Sequence, residues 1–68
     1  MELIKNTDVK KHRHKIGITQ KQLSGLTGID EANISKLEND KIELYDGWKE
    51  RIELAFEIFE EEANAKIY

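Results

Sequence analysis

The strongest constraint on the fold is a set of small and apolar residues at fixed intervals around one glycine. Counting from Gln20 as the first position, Leu23 is fourth, Ser24 fifth, Gly28 ninth, Ile29 tenth, Ile34 fifteenth and Leu37 eighteenth. Two short helices crossing over a tight turn need this order. The fifth position lies where the helices cross closely and has to be small. The ninth has to turn sharply, and glycine adopts the left-handed backbone there at no steric cost. The fourth, tenth, fifteenth and eighteenth point between the helices and have to be apolar. Helix signals flank the turn. Thr19 and Gln22 have the spacing of a capping box. Leu23 and Leu26 form the stripe of the first helix. Asp30 is placed to cap the second, and Asn39 or Asp40 to take the turn at its end.

The rest of the chain is also read as helix. Val9, His12 and Ile16 recur at helical spacing, with Leu3 and Ile4 upstream. Asn6, Thr7 and Asp8 move the expected start towards residue 7, and Gly17 is a natural stop. From about 46 to 64, Trp48, Ile52, Ala55, Phe56, Phe59 and Ala63 form the most regular amphipathic pattern in the chain. Its other face is Glu50, Glu53, Glu57, Glu60 and Glu61. Residues 64–68 are expected to fray. Proline and cysteine are absent among the 68 residues, so helix packing or a second subunit has to stabilise a thin core. The expectation is an all-α bundle of four helices, possibly five, forming one domain over 1–68. Three short helices do not cover the whole apolar stripe of the last one. Its surplus around Ile52, Phe56 and Phe59 is therefore read as a homodimer interface.

A helix pair of this kind can lay its second member in the DNA major groove. The run Gly17-Ile18-Thr19-Gln20, Leu23-Ser24, Gly28-Ile29 and Ile34-Ser35-Lys36-Leu37-Glu38-Asn39 resembles the Cro/phage-repressor (lambda-repressor-like, XRE-type) helix-turn-helix family. The likeness covers about 9–41 and, more loosely, the helix through Ala55. The resemblance implies a compact four- or five-helix bundle that binds operator DNA as a dimer and regulates transcription. It implies base reading by Glu31, Ala32 and Lys36, and phosphate contacts by Gln20, Asn39 and Lys41. It also implies that Arg13 on the first helix pairs with Glu38 at the end of the third. Four positions depart from the family pattern. His12 replaces a usual leucine, Gly25 a helix former, and Asp40 the glycine after the third helix, while Glu31 puts an acid at a base-reading position.

Net charge is −3, which alone disfavours a polyanionic partner, but the charges are segregated. Residues 1–41 hold 8 Lys/Arg against 6 Asp/Glu, and residues 42–68 hold 3 against 8. A mildly basic front can approach phosphate while an acidic back points away. The alternative reading is a protein-interaction module of the same fold, an antirepressor or an adaptor docking a larger regulator through the acidic last helix. Catalysis is not expected, because no nucleophile–base pair or phosphate-loop motif occurs. His12 and His14 are two apart on a helix and face different ways, so no metal site is expected. Gly25-Leu26-Thr27-Gly28 matches a GxxG loop, but the strands of an RNA-binding KH domain are missing. Neither a cofactor nor a small-molecule ligand is expected. With no apolar run near the roughly 20 residues of a membrane span and no signal-peptide core, the expected location is cytoplasmic. With no room for a ligand domain, regulation is expected to act through operator occupancy.

Overall fold

A computed structural model describes residues 5–65, and the side chains among them through Ala63. Four helices follow in order: α1 (Asn6–Ile16), α2 (Gln20–Thr27), α3 (Glu31–Glu38) and α4 (Asp46–Ala65). There is no strand among the described residues. α1 and α2 each pack against both α3 and α4. α3 and α4 make little direct contact with each other. None of the described helices is long and apolar enough to cross a membrane.

One core joins all four helices. Val9, Ile18, Leu23, Ile29, Ile34, Leu37, Ile52, Ala55 and Phe56 are buried, and Ile16, Ile42, Leu44, Trp48 and Phe59 pack around them. The core members of α2 and α3, with Ile29 between them, are the four apolar positions of the spacing around Gly28. Leu26 departs from the expected stripe. It is 44% exposed, on the edge of an open groove that it lines with Gln22, Gly25, Phe59 and Glu62.

The dimer surface read from Ile52, Phe56 and Phe59 needs correction. Ile52 and Phe56 are 0% and 1% exposed in the single protomer, and Phe59 is half-buried against the same core. α1 and α2 both reach α4, so the stripe expected to be in surplus is already covered. Ala63, placed on that stripe by spacing, is exposed.

The helix ends show which local signals act. Thr19 Oγ1 accepts from Gln22 N at 3.0 Å, and Gln22 Oε1 accepts from Thr19 N at 2.9 Å, which completes the capping box. Asp30 occupies the start of α3 without a side-chain cap; its carbonyl accepts from Asn33 N and Ile34 N instead. α1 begins at Asn6, one residue before the expected start. The expected fraying at 64–68 meets helix at 64 and 65, and the other three positions lie outside the described residues, as do Leu3 and Ile4.

Candidate nucleic-acid interface

The turn between α2 and α3 is set by Gly28 and by a threonine. Gly28 has φ +74°, in the left-handed region, and its N–H donates to Ser24 O at 2.9 Å. Thr27 is buried. Its hydroxyl donates to Leu23 O at 2.8 Å and accepts from Ile29 N at 3.2 Å. The turn therefore leaves neither its hydroxyl nor the Ile29 amide unpaired. Apolar spacing does not mark Thr27, because its role lies in local hydrogen bonding.

Buried polar contacts fix the pose of α3. Arg13 Nε donates to Glu38 Oε2 at 2.8 Å, and Nη2 donates to Glu38 Oε1 at 3.0 Å. This two-pronged geometry suits the guanidinium. Nη1 also reaches Ile18 O at 3.1 Å, just after α1. Gln20 Nε2 donates to Glu38 Oε1 at 2.9 Å. One carboxylate thus ties the end of α3 to α1 and to the start of α2. Burial is the largest influence on Glu38 and pushes its carboxyl up. Hydrogen bonds from Arg13 and Gln20, with the charges of Arg13 and Lys10, outweigh it and hold the group below the ordinary glutamate value.

The end of α3 is closed by backbone bonds. Lys41 N donates to Lys36 O at 2.8 Å, and Asp40 N to Leu37 O at 3.1 Å. These are the two bonds of a Schellman motif. Asp40 takes its left-handed position at φ +59°, where glycine is usual. Asn39 Nδ2 donates to Ser35 O at 2.8 Å. Asn6 then fastens the following loop, donating from Nδ2 to Asp40 Oδ1 at 3.1 Å and to Ile42 O, and accepting from Leu44 N at 3.1 Å. Nothing in the sequence near Asn6 signals this role, because its partners lie more than thirty residues away.

α3 keeps two separate faces. Ile34, Leu37 and Glu38 are buried; Glu31, Ala32, Lys36 and Asn39 are exposed. Lys41 is exposed in the loop just beyond, and Gln20 is half-buried at the start of α2. Gln20 and Asn39 each commit one amide hydrogen within the protein, and each amide nitrogen carries a second. The face of α4 away from the core carries exposed Glu50, Glu57 and Glu61. α3 and α4 make little direct contact, and these glutamates point away from the core the two helices share. Among the described residues, no cluster of three His, Cys, Asp or Glu could hold a metal ion.

A model of the Cro/C1-type HTH DNA-binding domain matches residues 8–47. That span covers more than half of the chain and includes α1 from Asp8 onward, the helix pair around Gly28, and the α3–α4 loop. The chain belongs to the Cro/C1-type helix-turn-helix DNA-binding family. Comparison with curated proteins yields no match, and comparison with solved structures yields none either. In this Cro/C1-type domain α3 holds the position of the recognition helix, and duplex DNA is the partner of the family fold. The match stops at Gly47, in the first turn of α4, so most of that helix lies beyond the family pattern.

Proposed function

We propose that the protein is a sequence-specific transcriptional regulator of the Cro/repressor type, binding operator DNA as a dimer and acting by occupancy without catalysis. Glu31, Ala32 and Lys36 read base edges from α3. Gln20, Asn39 and Lys41 flank them on phosphates through their uncommitted N–H groups. The observation that carries this reading is the division of α3. Its outward face is exposed at Glu31, Ala32 and Lys36, while the buried Glu38 network holds the helix in one orientation.

Each residue type suits its role. Lys36 can donate to guanine O6 or N7, Ala32 can pack on a thymine methyl, and Glu31 can accept from cytosine N4. Two protomers related by a two-fold axis read half-sites about 34 Å apart. Selection of bound sites from random duplex DNA at about 50 mM salt tests this. The expected result is an enriched, two-fold symmetric site. A folded protein that enriches no sequence overturns the DNA-reading role and leaves docking of a partner protein through acidic α4 as the next surface to mutate.

A further inference from the structure

α4 carries a second apolar stripe that its own core does not cover. Leu54 and Ile58 are 56% and 37% exposed, whereas Ile52, Ala55 and Phe56 are buried. Arg51, Leu54, Ile58 and Glu61 follow at intervals of three, four and three, the repeat by which one helix faces another. At 100° per residue they fall within a sector of about 80°. Arg51 and Glu61 are exposed, and neither has an ion-pair partner among the described residues.

The order of these four residues is self-complementary about position 56. Antiparallel pairing with a second copy sets Leu54 against the partner's Ile58 and Arg51 against the partner's Glu61. The two-fold axis repeats each contact. Parallel pairing in register instead opposes arginine to arginine and glutamate to glutamate. We propose that α4 docks antiparallel on α4 of a second copy of this chain through this seam. The proposal rests on the dimeric reading above and names the surface that makes the dimer. The seam uses residues of α4 only, so Glu31, Ala32 and Lys36, exposed on α3, stay outside it. Glu57 flanks the axis and approaches the partner's Glu57, which keeps the association modest.

Sedimentation equilibrium of the full chain without DNA, from low micromolar to near-millimolar concentration, tests the seam. The wild type is expected to show a monomer–dimer equilibrium. Arg51→Glu alone and Glu61→Arg alone each raise the dissociation constant by roughly tenfold, because two attractive pairs become two repulsive ones. The combined Arg51→Glu, Glu61→Arg exchange restores wild-type association. Loss in each single variant together with recovery in the double is the pattern of the antiparallel register, since parallel in-register pairing leaves all three variants repulsive like the wild type. All three variants sit at exposed positions, and circular dichroism checks that each keeps its helices. A wild type that stays monomeric throughout, or a dimer that the combined exchange does not restore, overturns the seam. The DNA selection separates the two readings. A monomer with an enriched site removes the seam alone, and a dimer with no enriched site removes the DNA reading alone.

Discussion

Glu38 shows how one buried carboxylate serves three helices. Its carboxyl is held low by Arg13 and Gln20 against the effect of burial. A group whose folded value lies below its unfolded value contributes stability above the unfolded value, about 4.3 for glutamate. That contribution is lost as pH falls through the lowered folded value. Chemical denaturation across the acid range is expected to show stability dropping there, with a shallower drop in Glu38→Gln. At neutral pH, Arg13→Met strands the carboxylate against Gln20 alone, and urea denaturation should register a loss of about 3 kcal/mol. Asp40 is a different case. Its left-handed backbone and its bond from Asn6 hold a negative charge just beyond α3. Asp40→Asn keeps a residue tolerant of that backbone and an oxygen for Asn6 while removing the charge. Tighter binding to the selected site, with nearly unchanged thermal stability, is the expected outcome. The Arg13–Glu38 contact was legible from family spacing, whereas the roles of Asn6 and Thr27 were not, since each depends on carbonyls and amides that spacing does not mark.

At the scale of the element, the glycine inside α2 and the one that ends it act in opposite senses. A Cβ added at Gly28 meets nothing within 4 Å, so its cost is the left-handed backbone alone. Gly28→Ala is expected to lose about 1–2 kcal/mol in thermal or chemical denaturation. Gly25 lies inside α2 with ordinary helical backbone and equally open space. Gly25→Ala is expected to gain up to about 1 kcal/mol, read as a raised melting temperature. The extents of α2 and α4 were readable because capping and periodicity are local. The surface α4 buries was not. Periodicity identified Ile52 and Phe56 as one apolar face, but nothing local says that α1 and α2 both cover it. His12 shows the same limit. Its ring packs on Phe56 with centroids 4.8 Å apart, and its Nε2 lies 3.1 Å from Glu60 Oε1. A histidine in a usual leucine position is thus accommodated by an acid of α4 forty-eight residues later.

Across the whole molecule, charge segregated along the chain bears on the proposed DNA contact more than the net value of −3 does. Lys41→Ala is expected to weaken all sequences alike and to reduce the salt slope by roughly 1 per subunit. Lys36→Ala is expected to relax preference at one base pair per half-site, costing about 1–3 kcal/mol on the best site and little elsewhere. Titrations of matched and mismatched duplexes at several salt concentrations distinguish the two. The bundle and its helix pair were legible because the core positions of α2 and α3 repeat at intervals that few other folds require. The outward positions of α3 carry no such signal, since exposure leaves their identity open. That freedom has an evolutionary consequence. Ile34, Leu37 and Glu38 fill the interior while Ala32 and Lys36 are exposed, so, on the proposed DNA reading, drift on the outer face can retarget such a domain to a new sequence without a compensating change in its interior.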